Sequence, residues 1–300
     1  MESLSVGDVA TRTSTPVCIA GMHRSGTSMI TRLLNLCGLY LGPDSEFASA
    51  GSDNEEGFWE HPSFVRLNEE ALARLGGGWD LPPAVTEGWE LQDNLSRLRN
   101  DAADLIRRFG PHQIWGWKDP RNSLMLPFWK SLVPNLKILV CLRNPLEVAQ
   151  SLKERGFSST AFSVNLWLKY SQRLLDNTRP AERVVTHYNT YFYNPQAELQ
   201  RVLSLLKIPA SAEVIEQACS AISKNLRHSW VTTEELRELN VSGDVLDCYL
   251  EMCGEAGAIY DASAAKVKSL ATSQAVAPGS RFHLRYLKTL LRRTRSLKQS

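Results

Sequence analysis

The sequence predicts an α/β fold in which a mostly parallel sheet is flanked by helices. Short apolar segments suited to buried strands recur along the chain, and segments with apolar residues at helical spacing separate them. Such alternation is typical of a parallel sheet with helices on both faces. Glycine or polar residues follow the apolar segments, and ligands bind at the carboxyl ends of strands in sheets of this kind.

The first predicted unit is a strand, a glycine loop and a helix. Residues 16–20 are an apolar run that predicts a buried strand, which ends at Gly21. The loop contains Gly26, and from Ile30 to Cys37 apolar residues recur at helical spacing. Free backbone N–H groups and the helix dipole face an anion in this arrangement, so the unit predicts a phosphate site.

The loop resembles a Walker A sequence in spacing but lacks its lysine. Four residues separate Gly21 from Gly26, and Thr27 stands where the lysine would be. A cation, Arg24, lies inside the loop instead. Because that lysine holds the transferred phosphate in nucleotide triphosphatases, its absence argues against an ordinary ATPase or kinase.

The remaining elements follow the same pattern. Strands are predicted over residues 114–117, 136–142 and 183–188. Helices are predicted over residues 64–75, 95–109, 124–132, 162–175 and 196–206, and a further helix is predicted in a segment that includes residues 151–153. Three further polar residues, Lys118, Arg143 and Tyr188, fall at the ends of predicted strands. We therefore expect them to converge with the glycine loop at one edge of the sheet.

Charge is distributed unevenly along the chain. The formal net charge is +2, yet nine Lys and Arg residues follow the last acidic residue, Asp261, so the preceding part carries −7. Residues 281–298 have leucines on one side of a predicted helix and cations on another. Such a helix would suit the surface of an anionic membrane, or would dock on the acidic body of the protein.

The domain organisation follows from these segments. We expect a flexible lead over 1–15, one domain over 16–230, a helical extension over 231–275 and a basic amphipathic tail over 276–300. The sequence contains no run of about 18 apolar residues and no apolar segment near its start. Six scattered cysteines without metal-ligand spacing predict reduced thiols in a cytoplasmic protein and no metal site. If the basic tail lies on a membrane, the contact would be a peripheral one at the inner membrane face.

Residues 22–28, MHRSGTS, resemble the loop that binds the 5′-phosphosulfate in sulfotransferases using 3′-phosphoadenosine 5′-phosphosulfate (PAPS). Carbohydrate-modifying members of that family often have arginine at the cation position, as here. The resemblance implies a P-loop-like sulfotransferase fold. It assigns the 5′-phosphosulfate to Arg24, Ser25, Gly26, Thr27 and Ser28.

A second motif resembles the site of the cofactor's 3′-phosphate. Arg143 and Ser151 are eight residues apart in CLRNPLEVAQSL, the spacing of the arginine and serine that bind this phosphate in the family. Arginine offers phosphate a planar fork of donors, and serine adds a hydroxyl. Tyr188 resembles the family's tyrosine beside the adenine, although a buried core tyrosine is the alternative.

Lys118-Asp119-Pro120 resembles the lysine-containing strand end of the family, most closely in its tyrosylprotein branch. The resemblance implies that Lys118 stabilises charge on the bridging oxygen of the leaving phosphate. Asp119 is expected instead to form a structural ion pair with Lys118 or Arg121. The histidine base of cytosolic members is absent, since Pro120 occupies its position.

Another side chain must therefore accept the proton of the attacking hydroxyl. Glu60, in Gly57-Phe58-Trp59-Glu60-His61, resembles a stretch seen in bacterial members and is the candidate base, with His61 and Glu56 as alternates. The alternative is that Glu60 caps the helix over 61–75 or lies on its surface.

The resemblance implies transfer of a sulfuryl group from PAPS to a hydroxyl, without a metal. A glycan or glycolipid acceptor is expected, because several tryptophans lie between the two cofactor motifs. No nucleic-acid partner is expected, and the oligomeric state is not predicted. Alternatives are a tyrosylprotein-type or small-molecule sulfotransferase, a nucleotide-dependent kinase, and a nucleotide-binding module without catalysis.

Overall fold

A computed structural model describes residues 14–47, 59–156, 159–223, 231–238 and 241–274. Its sheet contains four parallel strands, which are β1 Thr15–Ala20, β2 Ile114–Lys118, β3 Lys137–Leu142 and β4 Arg183–His187. The strand order is β2-β1-β3-β4, so the strand that precedes the glycine loop lies between two others. The predicted parallel sheet is thereby confirmed.

The helices flank this sheet. They are α1 Thr27–Leu36, α2 Pro62–Arg74, α3 Ser96–Phe109, α4 Asn122–Leu132, α5 Pro145–Glu154, α6 Thr160–Asp176, α7 Thr190–Tyr193, α8 Pro195–Leu206, α9 Ala212–Ser220, α10 Thr233–Glu238 and α11 Gly243–Gln274. The predicted strands, and the predicted helices between residues 30 and 206, are confirmed to within a few residues. The first strand begins one residue earlier than predicted, because Thr15 N donates a hydrogen bond to Gln113 O at 2.8 Å.

The two faces of the sheet bury separate cores. Along β1, Cys18 and Ala20 face the core formed with α2 to α6, whereas Val17 and Ile19 face the core formed with α1, α8 and α9. All four side chains are completely buried. Because successive side chains of a strand point to opposite faces, a strand covered on both sides is apolar throughout, as the sequence predicted.

The last described helix completes the larger core. Helix α11 packs against β4 and α6, and its Tyr249 and Met252 belong to the same apolar cluster as Trp167. The helix is interrupted at Gly257, where φ is 76° and ψ is −170°. Helices α10 and α11 lie within the predicted helical extension over 231–275. Of the predicted lead over 1–15, residues 1–13 lie outside the described residues and Thr15 belongs to β1, and the predicted basic tail over 276–300 also lies outside the described residues.

Across the described residues, none of the helices combines the length and the apolar character needed to cross a membrane.

Candidate active site

The loop between β1 and α1 turns sharply at Gly21. Its φ is 139°, and a Cβ atom there would lie 2.5 Å from the carbonyl oxygen of Cys141 on β3. Its N–H donates to Ser123 Oγ on α4 at 2.9 Å. Only glycine allows this approach of two backbones, and the loop therefore begins in contact with both the neighbouring strand and α4.

The loop ends at Gly26, the N-cap of α1, which provides no side-chain cap. A Cβ atom on Gly26 would lie 2.1 Å from Cδ2 of Tyr188, so the tyrosine ring packs directly on the loop. Within the loop, Ser25 Oγ is buried and has no hydrogen-bond partner among the described residues. A helix N-terminus without a side-chain cap, beside a buried hydroxyl, offers hydrogen-bond donors to an anion.

Lys118 lies at the end of β2 and is 1% exposed. Its Nζ donates to Ser28 Oγ at 3.0 Å, in the first turn of α1, and forms an ion pair with Glu60. The structure therefore brings together the predicted leaving-group cation, a residue of the glycine loop and the candidate base. The chain just before Glu60 is unusual too, since Trp59 adopts a φ of 56°.

Burial shifts the pKa values of Lys118 and Glu60 in opposite directions. It lowers the pKa of Lys118 and raises the pKa of Glu60, and in each case the attraction between the two charges partly offsets the effect of burial. Each group is thus easier to convert to its neutral form than it would be in water. A carboxylate with a raised pKa is better suited to accept a proton near neutral pH.

Arg143, just before α5, is held by three neighbours. Its Nε donates to Glu147 Oε2 at 2.8 Å, and its Nη1 donates to the carbonyl oxygen of Arg24 at 3.1 Å. Its guanidinium carbon lies 4.5 Å from the centre of the Tyr188 ring. The predicted 3′-phosphate arginine therefore contacts the glycine loop and the predicted adenine-side tyrosine at once.

Arg24 joins the two predicted phosphate motifs. Its backbone has a φ of 71°, rare for a residue with a side chain. Its Nε donates to Ser151 Oγ at 2.9 Å. The sequence placed Arg24 with the 5′-phosphosulfate, whereas in the structure its side chain reaches the serine predicted to bind the 3′-phosphate.

His61, an alternate base in the sequence analysis, has a structural position. It is 1% exposed, its Nδ1 accepts a hydrogen bond from Ser63 N, and its Nε2 lies 2.7 Å from Glu46 Oε2. It is thus the N-cap of α2, and the alternative that Glu60 fills this role is wrong, because the helix begins one residue too late. The other alternate, Glu56, lies outside the described residues.

Asp119 is a structural residue, as expected. One carboxylate oxygen accepts from Arg121 Nη1 at 2.9 Å, and the other accepts from Asn68 on α2 at 2.9 Å. The carboxylate is completely buried. It therefore fixes the turn after Lys118 to α2.

His23, which the sequence analysis left unassigned, lines the loop near Lys118. Its ring centre lies 4.6 Å from that of Trp79, and its Nε2 is buried without a hydrogen-bond partner among the described residues. Burial lowers its pKa well below the usual value, and the charges of Arg121, Lys118 and Arg24 lower it further. The imidazole is therefore neutral near pH 7.

Glu147, which holds Arg143, is not among the predicted site residues. A signal was present, because Glu147 follows Arg143 by four residues, the spacing of ion pairs along a helix. Ser123, whose hydroxyl holds the backbone of Gly21, is not among them either. No spacing rule connects these two residues, since they are 102 positions apart.

A glycine loop after the first strand, with cations at the ends of the two strands that flank it, is typical of α/β proteins of the P-loop-like class. The model of the Sulfotransferase family matches residues 16–212, which include the loop, Lys118, Arg143 and β4. The chain belongs to the sulfotransferase family.

Two curated relatives match part of the chain. A candidate protein-tyrosine sulfotransferase of Caenorhabditis elegans is 26% identical over 108 residues, covering 33% of this chain and 41% of the relative. A corresponding protein of Caenorhabditis briggsae is 24% identical over 107 residues, covering 33% of this chain and 38% of the relative. The matched region thus spans less than half the length of these relatives.

Solved structures give a weaker likeness. The sulfotransferase STF1 of Mycobacterium tuberculosis aligns with a TM-score of 0.49 at 13% identity, over 84% of this chain and 78% of its own. The sulfotransferase domain of the Synechococcus olefin synthase aligns with a TM-score of 0.49 at 16% identity, over 81% of this chain and 96% of its own. Family membership rests on the sequence match and not on these alignments.

Proposed function

We propose that the protein transfers a sulfuryl group from PAPS to a hydroxyl group of an acceptor. The observation that carries the proposal is the convergence of residues 21–28, Lys118 and the Arg143–Ser151 motif at one edge of the sheet. Two anion sites joined by Arg24 suit a nucleotide with phosphate groups at both its 5′ and 3′ positions. The match to the sulfotransferase family supports this chemistry.

The residues around the glycine loop provide hydrogen-bond donors that suit both phosphate groups of such a nucleotide. The uncapped N-terminus of α1 and the buried Ser25 hydroxyl provide donors for the 5′-phosphosulfate. Arg143, Ser151 and Arg24 provide donors for the 3′-phosphate, and the Tyr188 ring packs between this group and Gly26.

The proposed step breaks one bond and forms another. The acceptor oxygen attacks sulfur, Glu60 takes the hydroxyl proton, and the bond between sulfur and the bridging phosphate oxygen breaks. Lys118 stabilises the negative charge that this oxygen acquires. The products are a sulfate ester and 3′-phosphoadenosine 5′-phosphate, so atoms and charges balance.

For the acceptor we propose a carbohydrate or glycolipid. Trp59 and Trp79 are only partly buried, unlike the buried Trp89, Trp115 and Trp117. Trp59 adjoins the candidate base, and Trp79 packs on His23 of the loop. Partly exposed tryptophan rings near a reacting centre suit the apolar face of a sugar ring.

A tyrosine side chain in a protein is the second candidate acceptor. Both curated relatives carry the name of protein-tyrosine sulfotransferases, and the Lys118-Asp119-Pro120 turn resembles that branch. Assays with labelled PAPS against oligosaccharides and against tyrosine peptides separate the two candidates. Labelling of the tyrosine peptides alone would contradict the carbohydrate proposal and favour a tyrosine acceptor.

The proposed cofactor is tested by calorimetric titration with 3′-phosphoadenosine 5′-phosphate, with a chelator present. We expect the wild type to bind, and Arg143→Ala to lose about 2 kcal/mol of binding free energy, the scale of a charge-assisted contact. Arg179→Ala is the matched control, because this arginine is 81% exposed and pairs with Glu182 away from the loop. The control should bind like the wild type.

Two outcomes would contradict the proposal. Binding of ATP with magnesium, but not of 3′-phosphoadenosine 5′-phosphate, would favour a kinase. Binding of the nucleotide without sulfuryl transfer to any acceptor of either class would favour a module without catalysis.

A further inference from the structure

We propose that Glu147 is a positioning residue that orients Arg143 toward the 3′-phosphate of the nucleotide. The inference rests on the proposed function, because it concerns how the same site recognises its ligand. Glu147 is completely buried, lies in the first turn of α5, and is reached only by donors among the contacts described for it.

Three groups donate to this carboxylate. Arg143 Nε donates to Oε2 at 2.8 Å, Val231 N donates to Oε1 at 2.8 Å, and Asn189 Nδ2 lies 3.3 Å from Oε1. A buried carboxylate is unfavourable unless it is paired with a cation and its remaining lone pairs accept hydrogen bonds. Both conditions are met here, because Arg143 is the cation and Val231 N and Asn189 Nδ2 are the further donors.

The contact fixes the direction of the guanidinium. Arginine has five N–H donors, and the bonds to Glu147 and to Arg24 O use one at Nε and one at Nη1. With Tyr188 packed against its face, the planar group is held on three sides. Its orientation is therefore set before a ligand arrives, and the remaining donors are presented as one planar array.

The same carboxylate also fixes a second part of the chain. The N–H of Val231 donates to Glu147, and its carbonyl oxygen accepts from Asn144 Nδ2 at 3.1 Å. Both polar backbone atoms of Val231 are thus held by the N-cap and first turn of α5, the helix that follows Arg143 and contains Ser151. Glu147 consequently links Val231 to Arg143, the arginine that we propose binds the 3′-phosphate.

A glutamine at position 147 cannot replace this set of contacts. Its amide oxygen can accept hydrogen bonds, but its NH₂ group would meet a donor, either from Arg143 or from the Val231 and Asn189 side. Arg143 would also lose its buried partner of opposite charge. We expect the guanidinium to turn away from its present direction in Glu147→Gln.

Removing the charge of Glu147 and losing the orientation of Arg143 should change the affinity for a 3′-phosphate in opposite directions, so a binding measurement distinguishes the two effects. Removing a negative charge beside Arg143 would strengthen its attraction to phosphate if its orientation were unimportant. If orientation dominates, the same substitution weakens binding, and only for ligands with a 3′-phosphate.

The experiment compares binding of 3′-phosphoadenosine 5′-phosphate with binding of adenosine 5′-monophosphate by calorimetry. We expect Glu147→Gln to weaken binding of the first nucleotide about tenfold and to leave the second unchanged, a scale consistent with loss of one charge-assisted contact. In Arg143→Ala, the added Glu147→Gln change should cause no further weakening. Glu147→Asp keeps the charge but shortens the side chain, and provides the same comparison if Glu147→Gln does not fold.

Glu198→Gln is the matched control. Glu198 is also completely buried, pairs with Arg201 at 2.7 Å and accepts from Thr186, but it lies on α8, away from Arg143. It should leave the ratio of the two affinities unchanged.

Equal weakening for both nucleotides, or tighter binding of the 3′-phosphorylated one, would overturn the role of Glu147. A wild type that shows no preference for the 3′-phosphorylated nucleotide would overturn the proposed function itself, which distinguishes the two failures.

Discussion

At the scale of single residues, the ion pair between Lys118 and Glu60 brings together the two groups to which we assign the leaving-group charge and the acceptor proton in the proposed transfer. The cation is 1% exposed and is held by Ser28 on the glycine loop. Without substrates, each charge compensates the other in a buried setting. With substrates bound, the proposed roles require Lys118 to interact with the leaving oxygen and Glu60 to interact with the acceptor hydroxyl.

The pH dependence of transfer follows from this pair. Burial raises the pKa of Glu60, so the fraction of ionised base, and with it kcat/KM, should rise with pH through a value above the usual carboxyl range. Burial lowers the pKa of Lys118, so kcat/KM should fall on the alkaline side below the usual lysine range. The rise at low pH (the acid limb) and the fall at high pH (the alkaline limb) both report the coupled pair, and both should appear in the pH profile of kcat/KM for the wild type.

Substitution of Glu60 tests the assignment. Glu60→Gln should lower kcat/KM by about 10²-fold or more, the usual contribution of a general base, and should remove the acid limb. The control is Glu70→Gln, which changes a partly exposed carboxylate on α2 that pairs with Arg66 and Arg74, and this variant should retain the wild-type profile. An acid limb that persists in Glu60→Gln would assign the proton transfer to another group.

Much of the site at this scale was predictable from the sequence, because strand ends mark its position. Lys118, Arg143 and Tyr188 each follow an apolar run, and the structure places them around the same loop. The side chain of Arg24 was not predictable, since a positive φ in a residue other than glycine depends on contacts distant in sequence. The link from Glu147 to Val231 spans 84 positions and has no local signal.

At the scale of elements, α5 organises the candidate 3′-phosphate site. Arg143, Glu147 and Ser151 are spaced by four residues, which places them along one side of the helix and its N-terminal extension. Asn144 is the N-cap, its side chain accepting from Leu146 N at 3.0 Å, and Pro145 fills the first helical position. The same Asn144 side chain donates to Val231 O, so one residue begins the helix and anchors the neighbouring segment.

Substitution of this cap should affect stability and binding together. Asn144→Ala should lower the free energy of unfolding by about 1 kcal/mol, the usual cost of losing an N-cap. It should also weaken binding of 3′-phosphoadenosine 5′-phosphate, because the start of α5 and Val231 both lose a contact. Chemical denaturation and calorimetry measure the two effects separately.

Ser211→Ala is the control for this substitution. Ser211 caps α9 by accepting from Val214 N at 3.4 Å, on the opposite side of the sheet. It should lower stability and leave nucleotide affinity unchanged. Loss of affinity in both variants would show that binding responds to stability in general, and not to the position of α5.

At the scale of the whole molecule, the candidate site depends on two cores that meet at one sheet. The alternation of apolar segments predicted the parallel sheet, but not the order β2-β1-β3-β4, which depends on which strand edges pair. Nor did it predict that α11 would close the larger core, because the apolar spacing of a helix does not identify the surface it covers. In the structure, Tyr249 of α11 packs near Trp167 of α6, with ring centres 6.1 Å apart.

This packing predicts that α11 unfolds together with the sheet. Met252→Ala removes a core side chain that is 2% exposed, and should lower the free energy of unfolding by about 2–5 kcal/mol. Far-UV circular dichroism and tryptophan fluorescence should report one shifted transition, because the buried Trp115, Trp117 and Trp129 belong to the same core. Leu205→Ala on α8, where the side chain is 49% exposed, should change stability far less. A fluorescence transition that stays in place while the dichroism changes would mean that α11 folds independently of the sheet, and the candidate site would then not depend on it.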